Sequence, residues 1–238
     1  MAMREPPGLF ITGTDTSVGK TYVTAMVARA LRQAGHRVGV YKPVATGCGR
    51  ENDRVICDDA VVLAEAAERL DELEHVCPQR FLAPLAPHLA AAAEGKAVNV
   101  ELLRRGINYW RAESDVVLIE GAGGLMSPVT DELFVADLAA AFGYPLVIVA
   151  RNALGTIHQT LTTLIAAAAF EEGLQVAGIV LNQPQPPATG DVSIASNRAE
   201  LARRAVPPVL SEVAHGARLF EPTVDWIALA AAGQSGAD

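Results

Sequence analysis

The stretch Gly13-Thr14-Asp15-Thr16-Ser17-Val18-Gly19-Lys20-Thr21 decides the fold of this 238-residue chain. It follows the apolar, strand-like run Leu9-Phe10-Ile11 and leads at once into a helical pattern. A strand, a glycine-containing turn and a helix in this order predict a phosphate-binding P-loop, because the N–H groups of the turn and helix N-terminus converge on one point. The loop is a variant, since five residues rather than four separate Gly13 from Gly19.

Further apolar runs and helical patterns extend this beginning into a sheet. The runs are residues 38–41, 116–119, 146–149 and 179–181, and helical spacing covers 20–34, 58–70, 134–141 and 156–172. The runs do not alternate with polar residues, which indicates parallel strands covered on both faces. We therefore predict a single α/β domain over residues 1–238, with a P-loop NTPase-like fold, a mostly parallel central sheet and helices on both faces.

Several boundaries follow from the same pattern. Gly35 and Gly173 are expected to close two of the helices in the left-handed conformation. Two proline-containing regions, 77–98 and 182–190, are predicted to be long loops. The small and polar residues 230–238 are predicted to fray.

Composition excludes several classes of partner. A formal net charge of −8 argues against nucleic acid, whose binding needs a basic surface. The first eight residues contain no apolar signal segment, and the longest apolar stretch, 138–150, is too short for a membrane span. Three cysteines without C-x-x-C spacing disfavour both a disulfide framework and a zinc site, so we expect a cytoplasmic protein.

Ligands of an open α/β sheet collect at the carboxyl ends of its strands, so the loops after Ile11, Tyr41, Ile119, Ala150 and Leu181 are predicted to border one site. Three charged side chains stand on these loops or beside them, and each has a plainer alternative. Lys42 could be a solvated surface lysine, Glu120 could belong to a simple turn, and Asp59 could be either a helix-capping acid or a metal ligand.

Taken together, five motifs resemble the dethiobiotin synthetase family over residues 10–210. They are GTDTSVGKT at 13–21, YKPVATG at 41–47, APH at 86–88, LIEGAGG at 118–124 and LGTIH at 154–158. The resemblance implies a ligase that forms C–N bonds in the penultimate step of biotin synthesis. Such an enzyme carboxylates 7,8-diaminopelargonate with CO2 or bicarbonate and closes the ureido ring of dethiobiotin, and it uses Mg²⁺ and ATP and releases ADP and phosphate. The family is homodimeric.

The resemblance also implies a role for each matching residue. The catalytic residues are Lys20 and Lys42, and the Mg²⁺ ligands are Thr21, Asp59 and Glu120. The substrate contacts are Thr16, Thr46, Gly155 and Thr156. The nucleotide contacts are Ser17, Val18, Gly19, Lys20, Thr21, Tyr22, Asp59, Glu120, Gly121, Ala122, Gly123, Asn182, Gln183 and Ala214, with Asn182 reading adenine.

The chain departs from the family pattern at three places. His158 stands where Asn is frequent, Gln183 stands where a relative can have Asp, and segment 208–215 lacks the usual Ile-Pro pair. The first departure affects the contacts to the substrate tail, and the other two affect the contacts to the purine. No role follows for His88 beyond shaping the loop over the site.

The chemistry explains why two lysines are needed. Alkyl amines titrate near 10.4, which leaves roughly one in a thousand neutral at pH 7.4 and able to attack CO2. We expect Lys20 and Lys42 to disfavour the ammonium form by like-charge repulsion and then to stabilise the carbamate anion. The carbamate would attack the γ-phosphate, and the second amine would close the ring and expel phosphate, so no protein nucleophile is required.

The P-loop is also compatible with two other classes of protein. A cobyrinate-type amide synthetase would carry a glutaminase domain, for which 238 residues leave no room. A partitioning or membrane-positioning ATPase would carry a second lysine early in the loop, where this chain has Thr14 and Asp15. Stimulation of ATP hydrolysis by DNA or lipid would revive the second reading.

Overall fold

The computed structural model describes residues 5–186 and 191–233. The strands are β1 (Gly8–Gly13), β2 (Val38–Tyr41), β3 (Val44–Ala45), β4 (Gly49–Glu51), β5 (Arg54–Ile56), β6 (Gln79–Arg80), β7 (Val116–Gly124), β8 (Leu146–Arg151), β9 (Val176–Asn182) and β10 (Val209–Val213). The helices are α1 (Lys20–Gln33), α2 (Asp58–Ala67), α3 (Leu73–Val76), α4 (Pro87–Ala93), α5 (Val100–Arg105), α6 (Ile107–Glu113), α7 (Val135–Phe142), α8 (Thr156–Ala169), α9 (Ile194–Arg204) and α10 (Trp226–Ala232).

Six strands form the central sheet in the order β10-β9-β8-β1-β7-β2, and every neighbouring pair is parallel. All residues of β1 and β2 are buried, and so are the first six of β7. Because successive side chains of a strand point to opposite faces, this burial means that both faces of the sheet are covered. The predicted parallel α/β fold is confirmed.

The P-loop lies at the point where the strand order changes direction. From β1 the chain passes to β2 at one edge of the sheet, with β7 inserted between them, whereas β8, β9 and β10 continue on the other side of β1. Such a reversal opens a crevice at the carboxyl ends of the strands on either side of it. The topology therefore places the loop after β1 beside that crevice.

The five predicted strands and four predicted helices are all present, with shifted ends. Gly35 and Gly173 have φ values of +93° and +94°, as predicted, although α8 ends at Ala169, three residues before its expected end. The prediction of a structureless loop over 77–98 was wrong, because β6 and α4 lie within it. Pro87 is tolerated there because it occupies the first turn of α4, where its missing N–H costs no hydrogen bond.

The other predicted irregular segments extend beyond the described part of the chain. Residues 183–186 belong to no helix or strand, and 187–190 lie outside the described residues. Of the segment expected to fray, 230–232 belong to α10, and 234–238 lie outside the described residues. The single-domain organisation stays a prediction. Within the described ranges, no helix has the length and apolar character of a membrane span.

Candidate functional site

The P-loop has a backbone that only glycine suits at position 19. Gly19 immediately precedes α1 and has a φ of +88°, in the left-handed region that side chains disfavour. A Cβ atom there would lie 2.1 Å from Nδ2 of Asn182, which donates a 2.8 Å hydrogen bond to the backbone carbonyl of Val18. The end of β9 thus packs directly against the loop, and this contact leaves no room for a side chain.

Lys20 points back over the loop that precedes it. Its Nζ donates a 3.1 Å hydrogen bond to the carbonyl oxygen of Asp15, and the residue is buried. Burial lowers the pKa of Lys20, and the positive charge of Lys42 lowers it further, while Glu120 opposes both effects. A buried cation without a direct carboxylate partner is suited to receive an anion.

Lys42 stands at the centre of a compact charged cluster at the ends of β2 and β7. Its Nζ donates hydrogen bonds to Oδ2 of Asp59 at 2.6 Å and to Oε1 of Glu120 at 2.5 Å. The hydroxyl of Thr21 donates to the same Glu120 oxygen at 2.8 Å. The side chain of Lys42 is 5% exposed, that of Glu120 is fully buried, and that of Asp59 is 49% exposed. The surface alternative for Lys42 is therefore wrong.

The carboxylates of Glu120 and Asp59 determine the protonation state of Lys42. Burial alone would lower the pKa of Lys42, but Glu120 and Asp59 outweigh burial and raise it, so Lys42 is charged at neutral pH. Burial likewise opposes ionisation of Asp59, yet Lys42 holds the pKa of that carboxyl below its ordinary value. Both Asp59 and Lys42 are thus ionised at neutral pH, and they face each other.

The cluster also offers oxygen atoms to a metal ion. Oε2 of Glu120 is buried and has no hydrogen-bond partner, which is costly for a carboxylate unless a cation or donor completes it. Thr21 and Asp59 lie beside it, and hydroxyl and carboxylate oxygens suit Mg²⁺, which keeps several of its own waters. No group of three or more His, Cys, Asp and Glu side chains that could hold a metal ion occurs in the described ranges.

A cleft of about 830 Å³ opens over the P-loop and the ends of β2 and β7. It is lined by Thr16, Ser17, Gly19, Lys20, Thr21, Lys42, Ala45, Thr46, Asp59, Pro84, Leu85, Ala86, Pro87, Glu120, Ala122, Gly123, Ser127 and Pro128. Most of the predicted phosphate, metal and substrate residues therefore share one cavity.

Two parts of the wall were not predicted. The strip 84–87 faces the P-loop across the cleft, and the APH motif at 86–88 was its only sequence signal. Ser127 and Pro128 follow β7, and the Ser127 hydroxyl accepts a 2.8 Å hydrogen bond from the backbone N–H of Gly124. Nothing in the sequence pattern marked these two residues.

Other predicted nucleotide contacts lie beside the P-loop and not in the cleft. Asn182 is buried, and its Oδ1 has no hydrogen-bond partner. The next residue, Gln183, donates its N–H to Val213 at 2.9 Å, which holds the end of β9 beside the segment that contains Ala214. The Tyr22 hydroxyl donates to the carbonyl of Ala217 and joins that segment to α1.

The predicted residues of the turn between β8 and α8 stand apart. Gly155 is exposed with a φ of +95°, and Thr156 is buried with an unpartnered hydroxyl. Neither lines the cleft, so the contribution of the loop after Ala150 to the site stays a prediction. The cleft lies over β1, β7 and β2, whereas β8 lies on the other side of β1.

Comparison with known proteins adds a family to this geometry. The AAA domain family matches residues 7–223. A protein named "ATP-dependent dethiobiotin synthetase BioD" from Rhodopirellula baltica is 42% identical over 215 residues, which cover 86% of this chain and 82% of the relative. Proteins of the same name from Anaeromyxobacter dehalogenans and Anoxybacillus flavithermus are 44% and 36% identical, and the matches cover 82% and 92% of this chain and 84% and 96% of those relatives.

Solved structures show the same fold at low sequence identity. A ParA family ATPase from Chlorobium tepidum is 17% identical, with a TM-score of 0.53 and coverage of 97% of this chain and 90% of that one. The signal recognition particle receptor FtsY from Elizabethkingia anophelis is 14% identical with a TM-score of 0.51, and the match covers 97% of this chain and 66% of the receptor. At these identities the likeness extends to the fold alone.

Proposed function

Because the chain belongs to the dethiobiotin synthetase family, we propose that it carboxylates 7,8-diaminopelargonate with CO2 and closes the ureido ring of dethiobiotin at the expense of ATP. The observation that carries this proposal is the convergence of Lys42, Thr21, Asp59 and Glu120 on the edge of the P-loop. A nucleotide-binding site requires only the loop. The buried lysine between two carboxylates is the part that a ligase of this kind needs in addition.

ATP would lie along the P-loop with its phosphates at the N-terminus of α1. The backbone N–H groups of Ser17, Val18 and Gly19 and the charge of Lys20 supply the anion site. The strands on either side hold the loop in place, so little has to be reorganised on binding. Ala122 and Gly123 line the cleft and Gly121 precedes them, and their lack of bulky side chains would permit close approach of the nucleotide.

Thr21, Asp59 and Glu120 would hold Mg²⁺ beside the terminal phosphates. The buried, unpartnered Oε2 of Glu120 is the observation that supports this assignment. When bound, the ion would offset the negative charge of the transferred phosphoryl group. Lys42 contacts the carboxylates of Asp59 and Glu120 as well, so the cluster contains a positive charge whether or not the metal is bound.

Adenine would bind beside the P-loop and contact Asn182, Gln183 and Ala214. Tyr22 would contact the base as well. The orphaned Oδ1 of Asn182 supports this proposal, because an amide oxygen can accept a hydrogen bond from the exocyclic amine of adenine. Its Nδ2 is already engaged with the carbonyl of Val18, which fixes the orientation of the amide. A guanine base presents a carbonyl at the same position and would meet this oxygen unfavourably.

The diamine would occupy the cleft beside Lys42, with Thr16 and Thr46 as hydrogen-bonding partners. Lys20, whose own pKa is lowered by burial and by Lys42, places positive charge near the amine without a matching carboxylate in contact. This charge disfavours the ammonium form of the substrate and favours the carbamate anion. The charge of Lys42 is largely offset by Asp59 and Glu120, so Lys42 is better suited to hydrogen-bond the carbamate than to repel the ammonium.

The substrate carboxylate would meet the N-terminus of α8, at Gly155 and Thr156. Since these residues do not line the cleft of their own chain, this assignment agrees with a homodimer in which a second copy completes the site. The free N–H groups at the start of a 14-residue helix suit a carboxylate. We also propose a cytoplasmic location and no nucleic-acid or membrane partner.

The decisive experiment supplies purified protein with 7,8-diaminopelargonate, labelled bicarbonate and Mg-ATP. We expect labelled dethiobiotin and stoichiometric ADP, and we expect Lys42→Gln to abolish turnover while ATP still binds. A folded protein that makes no labelled product would refute the proposal. ATP hydrolysis stimulated by duplex DNA or anionic vesicles, without product, would instead favour a partitioning-type ATPase.

A further inference from the structure

Two cysteine thiols face each other at the base of a small hairpin beside the cleft. Strands β4 and β5 pair antiparallel, with Gly49 opposite Ile56 and Glu51 opposite Arg54. One step further from the turn, the same register sets Cys48 opposite Cys57. Both cysteines are free and buried.

The turn defines this register. Asn52 and Asp53 both have positive φ values, 46° and 64°, as in the type I′ turn that joins two strands by a two-residue loop. In such a hairpin the pair next to the turn is hydrogen-bonded and the pairs then alternate, so the fourth pair, Cys48 and Cys57, is a non-hydrogen-bonded one. In agreement, the N–H of Cys48 donates to Phe81 rather than across the hairpin.

This position suits a disulfide. Residues of a non-hydrogen-bonded pair have Cα atoms about 4.5 Å apart, within the range of about 4.4 to 6.8 Å that a disulfide spans. Cys77 is also buried nearby, but no strand pairing sets it opposite either of the other two. The geometry therefore singles out one pair among the three cysteines.

Both ends of the hairpin lead into the proposed active site. Thr46, two residues before Cys48, lines the cleft, and Cys57 immediately precedes α2. The second residue of that helix is Asp59, which pairs with Lys42 at 2.6 Å. A bond between the two sulfur atoms would therefore act on Thr46 and Asp59, each only two residues from a cysteine.

We propose that Cys48 and Cys57 are a modification site that closes reversibly to a disulfide and constrains the start of α2, which carries Asp59. The oxidant is a small-molecule disulfide. One cysteine thiolate attacks it and releases one small thiol, and the other cysteine then attacks the mixed disulfide and releases the second. The two cysteines lose two electrons and two protons, and the small disulfide takes up both and becomes two thiols.

The expected consequence is weaker binding of Mg-ADP, and this part rests on the proposed role of Asp59. A Cα separation of about 4.5 Å is at the short end of the range that a disulfide spans, so the bond would hold the start of α2 against the hairpin and limit how far Asp59 can adjust. Changes next to a metal ligand weaken metal affinity by about 10- to 100-fold. We expect the dissociation constant of Mg-ADP to rise about tenfold on oxidation and to recover with dithiothreitol.

The experiment treats the full chain with oxidised glutathione, counts free thiols by alkylation and mass spectrometry, and measures Mg-ADP binding by calorimetry. We expect the loss of two thiols, a Cys48–Cys57 peptide and tenfold weaker binding. Cys48→Ala and Cys57→Ala should each prevent the bond and the loss of affinity. Cys77→Ala, the matched control, should leave both unchanged.

Each contrary result has a distinct meaning. Thiols that all remain free, a bond to Cys77, or a disulfide that leaves Mg-ADP affinity unaltered would overturn the inference. Reduced protein that binds no Mg-ADP would count against the proposed function, while the thiol count would still decide whether the bond forms. Melting curves of the three alanine variants establish that each is folded.

Discussion

Replacing Lys42 with methionine tests the charged cluster most sharply. Methionine keeps much of the side-chain volume but removes the cation that contacts Glu120 at 2.5 Å and Asp59 at 2.6 Å. Glu120 is fully buried, so Lys42→Met leaves an uncompensated charge in the interior, which costs about 3 to 5 kcal/mol. Asp59 is half exposed and contributes little, because water screens such a pair.

For a chain of this size, a loss of about 3 to 5 kcal/mol corresponds to a fall in melting temperature of roughly 6 to 20 °C. Thermal and urea unfolding at pH 7 without divalent metal would measure it. The double variant Lys42→Met with Glu120→Gln should recover most of the stability, because a neutral amide replaces the orphaned carboxylate. Saturating Mg²⁺ should also stabilise Lys42→Met more than it stabilises the parent protein.

Two results would refute this reasoning. A Lys42→Met protein within about 1 kcal/mol of the parent would mean that Glu120 carries no buried charge that needs Lys42. A double variant as unstable as Lys42→Met would place the cost in packing and not in charge. Either result would also remove the argument for a metal at the same oxygen atoms.

Three further variants test the sides of the site. Gly19→Ala should weaken ATP binding at least tenfold in calorimetry, because the new Cβ would lie 2.1 Å from Nδ2 of Asn182. The matched control is Gly35→Ala, which introduces similar backbone strain but whose Cβ would meet no atom within 4 Å. This control should bind ATP normally. Asn182→Ala should lower ATP affinity about tenfold and weaken discrimination against GTP by filter binding, whereas Asn197→Ala, which also removes a buried amide, should not. The pKa of Asp59 is lowered in the folded protein, so its ionised carboxylate stabilises the fold above the ordinary pKa near 3.9. This stabilisation is lost as the pH falls through the pKa of Asp59 in the folded state. Asp59→Asn should therefore reduce the loss of unfolding free energy at acid pH, measured by urea titration. The role of Asp59 would be contradicted by an Asp59→Asn protein that loses stability in acid as the parent does, and that of Asn182 by unchanged nucleotide selectivity in Asn182→Ala. Normal ATP binding by Gly19→Ala would contradict the argument from close packing at the P-loop.

The fold could be predicted from the sequence largely because its strands are buried on both faces. Such strands appear as uninterrupted apolar runs, so β1, β2, β7, β8 and β9 were recognisable. Strand β10 alternates between buried and half-buried residues and was missed, as an edge strand with one covered side. Helix α4 is not predicted by the sequence pattern because proline ordinarily interrupts a helix, whereas Pro87 occupies the first helical turn, which tolerates it.

The site was predictable only in its local parts. Lys20 and Thr21 follow from the P-loop, and Glu120 from its place at a strand end. The contact of Lys42 with Asp59 depends on how α2 packs, since the two residues are 17 positions apart and on different elements. The opposition of Cys48 and Cys57 depends on a two-residue turn between two strands of three residues each, which are too short to show a periodic pattern. Tertiary packing and turn geometry therefore carry the information that periodicity lacks.

The charges of the cluster explain why nucleotide and metal should bind together. Lys20 and Lys42 supply two positive charges, and Asp59 and Glu120 supply two negative ones, so the four groups sum to zero within one cleft. A divalent cation alone would leave a surplus of positive charge in a partly buried site, and a nucleotide alone would leave a surplus of negative charge. When they enter together, the cation offsets part of the negative charge of the nucleotide, and in the proposed reaction the Lys42 ammonium would turn from the carboxylates toward the newly formed carbamate. Under the proposed function, the pairing of Lys42 with Asp59 and Glu120 is the resting arrangement of a group whose partner in the reaction would be another anion.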